Sequence, residues 1–364
     1  MTRADGDCSS DFALVREAFE AQLEREAGAA VCVLLAGEPV VDLWGGPGWR
    51  RDTICMPFSV SKAMVAVCAM TLVDRGVLAL DRPVARDWPE FAANDKAKVT
   101  LRHVLAHQAG VIAVDEPLTS DDMLDWGRVT KALAAARPRF APGSAHGESA
   151  RFYGHLVGEL VRRTDGRSLG HFFRAEIAEP FAIDFHFGLG PAELARCADM
   201  LAFSPAEEAK RRESLGPLAA EAMDNPPGIT DARIMNSESF RRAEVPAING
   251  HGSARGVARF YALLANGGAL DGKRLLSEAA VTELLTVQRR GVDLVFGEPA
   301  AWTLGLQRDE LGGFGMGGLG GHLGFGQQTH RLGYGFVRTK LALDEANDSL
   351  LRAVARCVAA RAAR

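Results

Sequence analysis

Strand-like sequence stands near both ends of this 364-residue chain and helical sequence fills its middle, so a sheet has to be assembled from segments remote in sequence. Residues 30–35 form a continuous apolar run, Gly37-Glu38-Pro39 is a turn signal, and residues 40–44, followed by Gly45-Gly46, read as the returning arm of a hairpin. Residues 312–335 alternate glycines with short strand-like pieces. Phe12, Val15, Phe19 and Leu23 recur at helical spacing over 11–27, and 346–363 predicts a closing helix. Residues 61–75 predict a helix with Met64, Val65, Cys68, Leu72 and Val73 on one face, stopped at Gly76. Between residue 81 and about residue 244 the pattern is mainly helical, notably over 100–107, 120–136, 151–163 and 169–177. Residues 253–265 then form an amphipathic helix stopped by Asn266-Gly267-Gly268. The expected architecture is α/β (α+β): an antiparallel sheet flanked by helices from residues 1–75 and 245–364, plus a mainly helical domain over 76–244. No repeat of solenoid or propeller length is apparent.

Composition narrows the function classes. Lys and Arg number 42 against 46 Asp and Glu, a net charge of −4, which offers no basic field for nucleic acid or an anionic membrane. The first 26 residues are acidic rather than basic-then-apolar, and no uncharged run approaches the ~18 residues of a membrane span, so a cytoplasmic location is expected. Six scattered cysteines without a CxxC pair predict free thiols, with no zinc site. No metal, no cofactor and a small-molecule partner are the expectation; the oligomeric state is left open.

Ser59-Val60-Ser61-Lys62 is an S-x-x-K placed where the apolar stretch 54–58 runs into the predicted helix. At i and i+3 on a first helical turn the hydroxyl and the amine project to one side, so the amine can take the proton of an attacking oxygen. The same letters also suit a Ser N-cap beside a solvated Lys, and the surroundings decide. Pro57 to Lys62, Leu72 to Leu78, Leu80 to Val84, Val99 to Gly110, Tyr153 to Leu160, Asn249 to Arg255 and the blocks around Phe314-Gly315 and Gly324-Phe325, in order along nearly the whole chain, resemble the serine β-lactamase-related family. Within it, the chain most resembles the branch of class C β-lactamase-like, or family VIII, carboxylesterases. That resemblance implies a β-lactamase/transpeptidase-like fold, Ser59 as acylated nucleophile and Lys62 as its proton partner.

Two departures from the family pattern stand out. Its third catalytic position, a Tyr shortly after a Pro-Gly, falls on Glu148 when counted from Pro142-Gly143 and back from Gly154. Glu148 either lies solvated in a loop that has lost its catalytic residue or supplies the acid/base itself. Where relatives carry Lys-Thr-Gly, or His or Trp before Gly-Gly, this chain has Met316-Gly317-Gly318 and then Leu319. The resemblance assigns the oxyanion hole to the backbone N–H groups of Ser59 and Leu319, which survive a side-chain change. The lost cation or ring would have anchored a substrate carboxylate, which makes β-lactams poor candidates. His322, standing for a small hydroxyl residue of the esterase branch, is a further candidate for substrate binding.

Other matches carry less. Gly315 to Gly320 fits G-x-G-x-x-G, but no helix pattern follows it. His103 and His107 stand at i and i+4 without the Glu of a zinc-protease motif, so they read as packing and loop-fixing residues. Gly166 to Gly170 fits G-x-S-x-G, but a helix precedes it, and Ser168 reads as an N-cap. The expected function is a serine hydrolase forming an acyl-enzyme on a small ester, lactone or amide, or passing the acyl group on, with Glu148 as a non-standard acid/base. The alternative is a fold relative without acyl-enzyme chemistry, binding a ligand or doing acid/base catalysis in the same cleft.

Overall fold

The computed structural model describes residues 3–344 and 346–363. A nine-stranded sheet joins the two ends of the chain. Its strands are β1 (Asp5–Cys8), β2 (Ala29–Leu35), β3 (Glu38–Gly45), β4 (Arg289–Val292), β5 (Pro299–Trp302), β6 (Gln307–Arg308), β7 (Gly313–Gly318), β8 (His322–Gln327) and β9 (Leu332–Arg338). They lie in the order β1-β3-β2-β9-β8-β7-β6-β5-β4, with every pairing antiparallel. The join is the β2–β9 pair, where Val33 faces Tyr334 and Val31 faces Phe336. Four of these strands escape the sequence pattern: β4 is mostly exposed, β5 has four residues opening on a proline, β6 has two residues, and β1 is a polar edge strand with no apolar alternation to betray it.

Both faces of the sheet are covered, so β2 reads as a continuous apolar run rather than an alternating one. Val31 and Val33 face a core built with α1 (Ala13–Leu23) and the closing helix α5 (Ala346–Ala362). Cys32 and Leu34 face the larger core, which contains α2 (Ser61–Asp74) and α4 (Ala254–Ala265). The helix α2 is enclosed on all sides: every residue from Ser61 to Leu72 is buried. The single apolar face expected from the sequence is thus only part of its contact surface. It packs against α3 (Tyr153–Asp165) and other helices of the middle segment, so one helix buried over all but its last two residues links that segment to the sheet.

Glycines on β8 and β9 let α4 settle close to the sheet. A Cβ on Gly324 would fall 2.1 Å from the Tyr261 ring, one on Gly333 2.2 Å from the Ala258 carbonyl, and one on Gly335 2.3 Å from the Ala254 carbonyl. The glycine-rich C-terminal segment is therefore a helix seat as much as a set of turns. Because backbone atoms cannot give way as a flexible side chain can, Gly333→Ala and Gly335→Ala should each destabilise the protein by about 1–3 kcal/mol, the range for overpacking. Urea unfolding checks this; parental stability in both variants would mean that the helix does not rest on the strand backbone.

Candidate active site

The chain enters α2 through a single 3₁₀ turn, Phe58–Val60. Phe58 sits at φ +48°, a left-handed conformation that is strained for a bulky residue. Two contacts hold it: Ser61 Oγ donates to the Phe58 carbonyl at 2.6 Å, and the end of β7 presses on the same turn. A Cβ on Gly318 would lie 2.1 Å from the Pro57 carbonyl oxygen, so glycine is what allows that approach. Ser59 is left half-buried just ahead of α2.

One turn along, Lys62 is fully buried. Its Nζ donates to Ser59 Oγ at 2.5 Å and to the Ala247 carbonyl at 3.4 Å, and lies 3.0 Å from Glu148 Oε1. An ammonium has three N–H donors, and here it finds three oxygens. Burial pulls the Lys62 pKa below the ordinary lysine value, against the charge and hydrogen bond of Glu148, which push it up.

Glu148 sits on a loop whose backbone is pinned on two sides. Its own N–H donates to Asp293 Oδ1 at 3.2 Å, and the next N–H, of Ser149, donates to His107 Nδ1 at 3.1 Å. His107 packs against Tyr153 and Trp302 with ring centroids 4.6 and 4.1 Å away, and burial drives its pKa well below the usual value. It is a neutral acceptor, with its proton on Nε2. The Asp293 carboxylate also takes the N–H groups of Val295 and Phe296 and the indole N–H of Trp302, at 2.9, 3.2 and 3.0 Å. On the other side, Asn249 ties together Val245, Phe240 and Ala243, fixing the segment that presents the Ala247 carbonyl. Gly154 of α3 leaves room for that segment, since a Cβ there would fall 2.4 Å from Ala247 N.

A cavity of about 190 Å³ opens on Ser59 and Glu148. Gly317 and Leu319 bring the end of β7 to it, Phe58, Met223, Ile229, Ile248 and Phe296 give it an apolar lining, and Arg151 adds a cation. No tyrosine lines it. All three tyrosines of the chain are wholly buried elsewhere: Tyr153 OH donates to the Leu105 carbonyl at 3.3 Å, Tyr334 OH bonds Asn347 at 2.8 Å, and Tyr261 packs on Phe314. A carboxylate, not a phenol, stands beside Lys62.

Ser59, Lys62 and Glu148 thus meet in one line of contacts, with Gly317 and Leu319 on the same cavity and Gly318 against the turn that carries Ser59. Met316 and His322 are not on the cavity. Side chains alternate along β7, and Met316, paired with Gly324, points with Phe314 into the core under α4. His322 packs 6.0 Å from the Phe58 ring, its Nδ1 accepts the Arg338 N–H at 3.4 Å, and burial pushes its pKa down to about 3. Its position supports the strained turn rather than a substrate. His103 closes a capping box with Thr100, and Ser168 caps its helix by accepting the His171 N–H.

A family model described as Beta-lactamase matches residues 15–355. The chain belongs to the β-lactamase family of serine hydrolases. It is 35% identical to the esterase/beta-lactamase LipL of Mycobacterium tuberculosis, over 93% of this chain and 83% of that protein. A family VIII carboxylesterase crystal structure superposes with a TM-score of 0.89 at 35% identity, covering 97% of this chain and 99% of the other. A penicillin-binding protein homologue from Caulobacter crescentus gives the same TM-score at 34% identity, over 98% of this chain and all of its own. The family's β-lactamase/transpeptidase-like fold, with helices on an antiparallel sheet, is the one seen here.

Sequence reasoning misses Asp293, the Ala247 carbonyl and Arg151, which reach the site from three separate loops. Asp293 is buried while Val292, Leu294 and Phe296 beside it are exposed, so no buried run marks it in the sequence. Asp293→Ala should cost about 2–4 kcal/mol, since it orphans four donors around a charged acceptor. Asp293→Asn, which keeps one acceptor oxygen, should cost less. Parental urea stability of Asp293→Ala would show that the Glu148 loop is held by something else.

Proposed function

We propose that the protein hydrolyses small esters through an acyl-enzyme on Ser59, with Glu148 as the terminal proton acceptor acting through Lys62. The observation that carries this reading is the buried Lys62 Nζ standing between Ser59 Oγ at 2.5 Å and Glu148 Oε1 at 3.0 Å.

Lys62 alone is a poor base: at an ordinary pKa near 10.4 only about one amine in 2,500 is neutral at pH 7, a handicap of about 4.6 kcal/mol. Passing a proton from an ammonium to a carboxylate in water is uphill by about 8 kcal/mol, the gap between ordinary lysine and glutamate pKa values. Burial narrows that gap by lowering the Lys62 pKa. In the proposed relay Lys62 gives one proton to Glu148 as it receives the Ser59 proton, so it is an ammonium before and after and never has to exist free as an amine. The Ser59 oxygen attacks the ester carbonyl, and the oxyanion meets the backbone N–H groups of Ser59 and Leu319. The proton on Glu148 returns through Lys62 to the leaving alkoxide, the ester C–O bond breaks, and the acyl group stays on Ser59. Water, activated by the same relay, then releases the acid; an alcohol in its place gives acyl transfer.

The esterase and carboxylesterase relatives support this class. The apolar lining suits short acyl or alcohol groups, and Met316, turned into the core, provides no cation for a β-lactam carboxylate. The six unpaired thiols suit a reducing, cytoplasmic compartment.

Ser59→Ala should abolish turnover of p-nitrophenyl acetate while leaving the circular dichroism spectrum unchanged. Glu148→Gln should lower kcat by roughly 10²–10⁴-fold, the contribution of a positioned general base, and Glu148→Tyr should recover part of it. Full activity of the Gln variant would remove Glu148 from the relay. Full activity of Ser59→Ala would overturn the acyl-enzyme.

A further inference from the structure

The ester chemistry leaves one charge in the cavity unused. Arg151 lines the same space as Ser59 and Glu148, yet is only 4% exposed. Among the described residues three other arginines are similarly buried, and each has a carboxylate: Arg338 has Glu26 at 3.2 Å and Asp344 at 2.7 Å, Arg211 has Glu208 at 2.8 Å, and Arg241 has Asp199 at 2.7 Å. Arg151 has none. Its Nη1 donates to the Pro226 carbonyl, and Asp224 acts on it only through space. A guanidinium carries five N–H donors in a planar fork made for a carboxylate, and burying one without an anion is costly unless something completes it. Burial pulls its pKa down to about 10, so it keeps its charge at neutral pH.

The charges around Ser59 point the same way. Lys62 and Glu148 offset each other, which leaves Arg151, with Asp224 acting on it only through space, as the cation without an ion-pair partner in an otherwise largely apolar cavity. Resting on the acyl-enzyme reading, we infer that Arg151 is the anion-recognition residue of this site and that its substrates are small esters bearing a free carboxylate, which pairs with the guanidinium while the ester carbonyl meets Ser59. The cation missing at Met316 is thereby supplied from another wall, by the loop that also carries Glu148.

The test compares carboxylate-bearing esters with neutral ones of similar size: p-nitrophenyl hemiglutarate against p-nitrophenyl valerate, and 4-acetoxybenzoate against phenyl acetate. The parent should prefer the anionic member of at least one pair in kcat/KM, and the pair that shows it tells whether the acyl or the alcohol half carries the carboxylate. Arg151→Gln should lower that anionic-to-neutral ratio by roughly 10–100-fold, chiefly through KM, and Arg151→Lys should keep part of it. A purely structural arginine would lower both members together, and an unchanged ratio overturns the proposal while the acyl-enzyme stands. If the parent hydrolyses none of the four, calorimetric binding of monomethyl glutarate to Ser59→Ala decides: binding weakened by adding Arg151→Gln upholds the anion site without the acyl-enzyme, and no binding, or binding indifferent to Arg151, overturns it.

Discussion

Lys62 places an ammonium where no solvent reaches it, and three oxygens from three parts of the chain hold it there: the Ser59 hydroxyl, the Glu148 carboxylate and the Ala247 carbonyl. Removing such an ion from water costs several kcal/mol, and only close, well-directed partners offset that cost. Much of the surrounding structure serves those directions. A helix buried over all but its last two residues fixes the base of the lysine, a neutral histidine and a multiply bonded aspartate fix the backbone that carries Glu148, and a buried asparagine fixes the segment that presents the carbonyl.

Placing a carboxylate where a phenol is expected changes the electrostatics of the site. A phenol beside an ammonium is neutral at pH 7, and a lysine that is desolvated next to it can act as the base. A carboxylate stabilises the ammonium and so leaves less free amine to act as the base, but provides a second acceptor for the proton. In the proposed relay, the short Ser59–Lys62 and Lys62–Glu148 contacts make the lysine a conduit between two oxygens. Because the Lys62–Glu148 pair is internally neutralised, Arg151 is the charge on the cavity wall to which the proposed anion recognition is assigned.

How much of this was legible in the sequence follows from how local each feature is. The hairpin of β2 and β3, the α2 helix and the S-x-x-K at its start rest on short-range patterns and appear where expected. Glu148 was reachable because the count runs through a short loop between two fixed points, Pro142-Gly143 and Gly154. Met316 and His322 were misplaced on the cavity because neighbours on a strand face opposite sides: Gly317 and Leu319 take the cavity, and Met316, one residue before Gly317, turns to the core. A sequence offset of one residue decides this, and the pattern of glycines does not reveal the face. Strands β1 and β4 to β6 and Asp293 were missed because the strands are short or exposed and the aspartate sits in a largely exposed segment, its bond to the Glu148 N–H spanning 145 residues of sequence. Arg151 looked like an ordinary charged residue at a helix start; only its burial without a carboxylate distinguishes it.

The central claim is that the Ser59 oxygen becomes covalently bonded to its substrate. Incubation with a fluorophosphonate, followed by intact-mass measurement and peptide mapping, tests it most directly. The account predicts one adduct per chain, on the peptide that contains Ser59, formed far more slowly in Glu148→Gln. No adduct, or an adduct on any other residue, would contradict it.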